Sequence, residues 1–96
     1  MMIKVSIDKK ADKFLNNLLG SNQQKIALSI VDFLYNQLPN LESDPRFLPN
    51  AKHLKGFDDN RYRWRFGNYR VIGKINPNGE ITIIHIIEIA HRQGAY

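Results

Sequence analysis

The sequence RYRWRFGNYR, Arg61 to Arg70, sets an arginine at 61, 63 and 65 and an aromatic ring at 62, 64 and 66. Alternation with a period of two marks a β-strand, because successive side chains leave opposite faces. Tyr62, Trp64 and Phe66 are expected on the face packed against the rest of the fold, with Arg61, Arg63 and Arg65 on the other. Gly67-Asn68 reads as the two-residue turn of a hairpin. Counted outward from that turn, Phe66 faces Tyr69, Arg65 faces Arg70, Arg63 faces Ile72 and Arg61 faces Lys74. Five basic groups then line one side of one hairpin. Like charges directly opposite each other cost about a few tenths of a kcal/mol per pair. Fold stability does not ask for that arrangement, whereas a bound polyanion relieves it.

Three strands are expected in this region, at 60–66, 69–75 and 81–89, with Asn76-Pro77-Asn78-Gly79 as the second turn. The stretch ITIIHIIEI, Ile81 to Ile89, is nearly all apolar, as for a central strand covered on both faces. Upstream, Ile3-Lys4-Val5-Ser6-Ile7 alternates and reads as a short strand. Asp8 is placed to cap a helix with apolar positions Ala11, Phe14, Leu15, Leu18 and Leu19, and Gly20 falls just past its end. Ser21 and Gln24 suggest a capping box for a second helix, whose stripe is Ile26, Ala27, Ile30, Val31, Leu34 and Leu38. Pro39 stops it. Residues 39–51 hold three prolines without periodicity and read as a loop, with Phe47 and Leu48 tucked towards the core. The expected fold is one α+β domain over 1–96, in the order β-α-α-β-β-β: a helical hairpin on a mainly antiparallel sheet.

The net charge is +5, and its location is informative. Lys52, Lys55, Arg61, Arg63, Arg65, Arg70 and Lys74, set against Asp58 and Asp59, carry all of the excess, and the remaining chain is balanced. A concentrated patch points to an anionic partner, and four arginines among the five hairpin cations favour a phosphodiester. There are no cysteines, which excludes disulfides and thiolate metal sites and fits a reducing cytoplasm. No metal or cofactor is expected. No run of about 18 apolar residues spans a membrane, and the N-terminus lacks the apolar stretch of a signal peptide.

The last strand leads into His91-Arg92-Gln93-Gly94-Ala95-Tyr96. His91 is the group suited to titrate near neutral pH, Arg92 adds a phosphate contact, and Tyr96 can stack on a base or transfer a proton. His85, within an isoleucine run, is expected as a hydrogen-bonded core residue, and His53 as an exposed one.

The ordered set KHLKG…RYRWRFGNYRVIGKI…EIAHRQGAY resembles the RelE/ParE superfamily of bacterial toxins from type II toxin–antitoxin pairs. The resemblance covers most of the chain and implies a compact toxin wrapped by a cognate antitoxin, through which the pair represses its own operator DNA. RelE-like members cut mRNA in the ribosomal A site. ParE-like members poison DNA gyrase and are not nucleases. By position, Arg63 and Arg65 correspond to two catalytic lysines of RelE-like toxins, Arg70 to the strand arginine, Arg92 to the exit arginine and Tyr96 to the C-terminal tyrosine. Lys52, His53, Lys55, Arg61 and Lys74 are then expected to hold RNA around them. The implied reaction is attack of a ribose 2′-OH on the adjacent phosphorus, giving a 2′,3′-cyclic phosphate. Arginine keeps its proton far above neutral pH, so Arg63 stabilises charge but is a poor base, and proton transfer is expected of His91 with Tyr96. The alternatives are a gyrase poison and a non-toxic binding module of the same fold.

Overall fold

The computed structural model describes residues 2–93. The chain runs β1 (Met2–Ile7), α1 (Lys9–Leu19), α2 (Gln24–Asp32), β2 (Ala51–His53), β3 (Arg61–Phe66), β4 (Tyr69–Asn78) and β5 (Ile81–His91). The strands form one five-stranded sheet in the order β1-β5-β4-β3-β2, in which β1 pairs parallel to β5 and the other neighbours are antiparallel. The α+β class and the mainly antiparallel sheet are as expected. The strand count is corrected by one. The tail of the proline-rich stretch pairs with β3 as β2, whose three residues are too short to display a period.

The helices bury one face and the sheet supplies the other half of the core. Ala11, Leu15 and Leu18 of α1 and Ala27 and Ile30 of α2 are buried with Ile3, Trp64, Val71, Ile75, Ile84, Ile86 and Ile89. Past Asp32 the second helix widens into one π-helical stretch, Phe33–Gln37. This stretch buries both Phe33 and Leu34. Phe33 lies against Trp64 at 5.8 Å and Phe66 at 5.0 Å between ring centroids. Trp64 is fully buried, and its indole N–H donates to the Pro45 carbonyl at 3.1 Å. That bond ties the proline-rich segment to the core, as an amphipathic ring requires when buried.

Local chemistry differs from expectation at three places. Asp8 is the N-cap of α1 by position, but its carboxylate makes no capping bond. Ser21 does not open α2: its hydroxyl donates to Leu18 O and accepts from Gln23 N–H, closing α1, and Gln23 takes the N-cap position of α2 without a side-chain capping bond. Phe47 is 81% exposed rather than tucked in, while Leu48 does pack on the core.

The β3–β4 register matches the expected pairing residue for residue. The second hairpin is tighter than expected: β4 continues through Pro77, which pairs with Thr82, and Gly79-Glu80 makes the turn. Ile75 exchanges bonds with Asn60 on the β3 side, so Pro77, two residues on, turns its missing N–H to that same side, where β3 has already ended. A bulge at Ile72/Gly73 shifts the β4–β5 register. The strand β5 is covered by helices on one face only. On the other, Leu54 and Ile72 are buried beside Ile87 and Ala90 as a small separate cluster.

Candidate nucleic-acid interface

The sheet face turned away from the helices is built from the rows that the register sets side by side. Lys52 of β2, Arg63 of β3 and Ile72 of β4 form one row, and Arg65 and Arg70 form the next. Arg70 is therefore directly opposite Arg65 and diagonal to Arg63. Leu54 over Ile72 gives this face an apolar floor, held by the Leu54 N–H bond to Arg61 O at 2.9 Å.

The three arginines are held differently. Arg63 Nη1 donates to the Asn50 carbonyl at 2.8 Å, an oxygen that also accepts from Arg65 N–H. Arg65 is exposed, with Nε directed to Gly67 O at 3.2 Å. Arg70 is half-buried. Arg63 Nε and Arg70 Nε and Nη1 are buried and lack a hydrogen-bond partner among the described residues. A buried donor without an acceptor costs about 1–3 kcal/mol, more on a charged group.

Arg61 and Lys74 are not the free cations the sequence suggested. Both contact one carboxylate, Asp59, at 2.7 Å and 3.4 Å. The hydrogen bond from Arg61, reinforced by Lys74, holds the Asp59 carboxyl below the usual carboxylate range against a smaller opposing effect of burial. Asp59 appears in the sequence only as one of two acids diluting the basic patch. Its place two residues before Arg61 at the strand entrance was the available signal. Sequence reasoning also passed over Asn50, whose side chain donates to Arg65 O, and Phe57, whose ring lies under the Arg61 guanidinium at 4.0 Å.

The histidines are redistributed. His91 pairs with Tyr69 and meets its ring edge-on at 5.3 Å, and Tyr69 in turn lies near Phe14 of α1. His91 is thus on the helix-bearing face, not with Arg63, Arg65 and Arg70. His85 is hydrogen-bonded as expected, Nδ1 to Ser6 Oγ at 2.7 Å, but it is half-buried in the row of Lys74, outside the core. His53 is exposed and packs on Tyr62 at 4.9 Å, again on the side of the aromatic residues. Lys52 and Lys55 are exposed beside the arginine face. Arg92 is exposed and its N–H bonds Asn68 O at 2.7 Å, fixing the end of β5 to the first hairpin turn. Tyr96 lies outside the described residues.

The fold is a two-helix layer on this sheet, and it has counterparts among known proteins. The profile of the ParE toxins of type II toxin–antitoxin systems matches residues 5–96. The chain belongs to this family, and so to the RelE/ParE superfamily of type II toxins. No curated protein matches it. Among solved structures, the RelBE2 toxin–antitoxin complex of Mycobacterium tuberculosis shares the fold at 23% identity and a TM-score of 0.66, over 96% of this chain and 100% of that one. An archaeal RelE–RelB complex from Pyrococcus horikoshii is 27% identical with a TM-score of 0.59, over 99% and 100%. A RelB–RelE antitoxin–toxin complex from Methanococcus jannaschii is 30% identical with a TM-score of 0.50, over 95% and 94%. No helix among the described residues is long and apolar enough to cross a membrane.

Proposed function

We propose that this toxin is a ribosome-dependent mRNA endoribonuclease of the cytoplasm, held inactive by a cognate antitoxin. The carrying observation is the gathering of Arg63, Arg65 and Arg70 on one face, with guanidinium N–H groups of Arg63 and Arg70 that have no partner among the described residues. Their planar donors suit the equatorial oxygens of a phosphodiester, and they gain most when negative charge grows there. In 2′-OH attack, the ribose oxygen bonds to phosphorus while the 5′-oxygen leaves, and the phosphorane between them carries the added charge. Arg63, Arg65 and Arg70 stabilise that charge, with Arg92 at the strand exit. The relatives at 27% and 30% identity are RelE toxins in complex with RelB, which supports both the RelE-like reading and a cognate antitoxin.

With His91 on the opposite face, the described arginine site holds charge stabilisers and no imidazole. The proton lost by the 2′-OH and the proton taken up by the leaving 5′-oxygen are therefore assigned to water or to groups of the assembled ribosomal complex, which also orders the substrate in line, and the free toxin is a feeble nuclease. Inducing the toxin without antitoxin and mapping new mRNA 5′ ends within minutes tests this. Cuts that require translation and keep one position in the reading frame are expected.

A second reading has its own support. The matching family is described as ParE, and an arginine face lacking an imidazole also suits a gyrase poison. Growth arrest with intact mRNA and double-strand DNA breaks would select it.

A further inference from the structure

We infer that the basin between β2 and the following loop, floored by Phe57, is a base-stacking subsite for single-stranded RNA. The basin has a volume of about 440 Å³ and is lined by Lys52, His53, Leu54, Lys55 and Phe57. Its lining offers two ammonium groups and an aromatic ring but no carboxylate. The two other cavities of similar size include Glu80 or Glu88 in their linings, which repels a polyanion. Neither Lys52 nor Lys55 forms an ion pair among the described residues, so both ammonium groups are available to phosphate.

Phe57 has the two properties a stacking platform needs, exposure and rigidity. It is 41% exposed and lines the basin beside Leu54. The Arg61 guanidinium sits over it at 4.0 Å and is itself fixed by Asp59 at 2.7 Å. One side of the ring thus carries a cation that polarises it, while part of the residue stays open to solvent. A base stacked on a preset ring gains about 1–3 kcal/mol, with little sequence preference because every base has a π-face. Leu54 connects the basin to the floor under Arg63, so a strand gripped by the arginines continues into it. The inference deepens the proposed function and rests on its RNA substrate, but not on cleavage.

The test is therefore a binding measurement. A short single-stranded RNA carrying 2-aminopurine is titrated with the full-length toxin at low salt, and fluorescence quenching reports stacking. Phe57→Ala is expected to weaken binding by about 5- to 100-fold and to abolish quenching, whereas Phe57→Trp restores both. Phe57→Leu, which keeps the apolar bulk, is expected to behave like Phe57→Ala. Thermal unfolding of each variant checks that the fold is kept. Unchanged affinity and quenching in Phe57→Ala overturns the subsite, as does full recovery in Phe57→Leu. Failure of the wild-type protein to quench the probe also overturns it. Loss of antitoxin binding with RNA binding intact would reassign the basin to the antitoxin. If no mRNA is cut in cells but Phe57-dependent quenching persists, the nuclease reading fails and the subsite stands.

Discussion

Arg65 stands directly opposite Arg70 across the β3–β4 hairpin, one exposed and the other half-buried. No carboxylate among the described residues bridges them. Such a pair works against the fold, and the phosphate contact proposed above would offset that cost. Arg65→Thr removes the repulsion and keeps a good strand former. It is expected to raise unfolding stability by about 0.2–1 kcal/mol while lowering toxicity. Urea unfolding beside a plating assay reads both. A variant that loses stability while keeping full toxicity would show that the pair has a structural purpose.

Arg70 should be the more severe loss. Two of its guanidinium nitrogens are buried and unpartnered among the described residues, against one of Arg63. Removing one preorganised donor to a developing oxyanion costs about 10²–10³ in rate, so Arg70→Ala is expected to reduce ribosome-dependent cleavage by at least about that factor. Arg70→Lys should recover little, because an ammonium is a point charge without the planar fork. Single-turnover cleavage on programmed ribosomes measures both. Near-complete rescue by lysine would reduce the role of Arg70 to charge alone.

His91 is predicted to matter less than its place in the sequence suggests. Its ring rests edge-on against Tyr69, on the helix side, so it braces the end of β5 rather than facing phosphate. An aromatic pair is worth about 0.5–1.5 kcal/mol. His91→Ala should therefore cost stability on that scale and leave cleavage within about tenfold of wild type. His91→Phe should recover the stability. A loss of cleavage as deep as that of Arg70→Ala, with stability intact, would return His91 to the chemistry.

The contrast between His91 and the arginines shows what was legible in the sequence. The alternation around Trp64 fixed strand, face and register together, because a slip by one residue would bury arginine. The last strand carried no such penalty. Ile81 to Ile89 is apolar at nearly every position, so neither the bulge opposite Ile72 and Gly73 nor its single-sided helix cover had a sequence signal. His91 follows that bulge, and counting by twos from the isoleucine run cannot assign its face. The strand β2 is three residues long and has no period to read. The Asp59 clamp was hidden for another reason: net charge counts ions, and only geometry says which are already paired.

That clamp predicts a pH dependence. Asp59 is held below the usual carboxylate range, first by the hydrogen bond from Arg61 and then by Lys74. A lowered folded-state value means that its stabilisation is present above the unfolded carboxylate value, about 3.9. It is lost as pH falls through the folded one. Wild type should therefore exceed Asp59→Asn in stability at pH 7 and pH 5, with the gap closing below about pH 4. The gap should shrink in high salt as well, because these groups are near the surface. Denaturant unfolding across that range checks it, and a gap that persists unchanged to pH 2 would exclude charge pairing as its source.

Gly73 tests the packing behind the arginine face. It sits at the bulge, where a Cβ would lie 3.0 Å from Ile86 Cδ1, 3.1 Å from Trp64 Cζ3 and 3.3 Å from the His85 carbonyl. Two opposing effects follow from Gly73→Ala. Restricting the unfolded chain stabilises by about 0.4–1 kcal/mol. Forcing an added methyl into a filled core costs about 1–3 kcal/mol. Trp64 and Ile86 are both fully buried, and the indole is anchored to Pro45, so the neighbours have little room to yield. Overpacking should win, with a net loss of about 1–2 kcal/mol. For a domain of this size that lowers Tm by about 5–15 °C. Because Trp64 lies between Arg63 and Arg65 on β3, a shift of its ring also moves the arginine face, and activity should fall together with Tm. A calorimetric scan showing equal or higher Tm would mean that the core beneath this bulge is looser than the distances indicate.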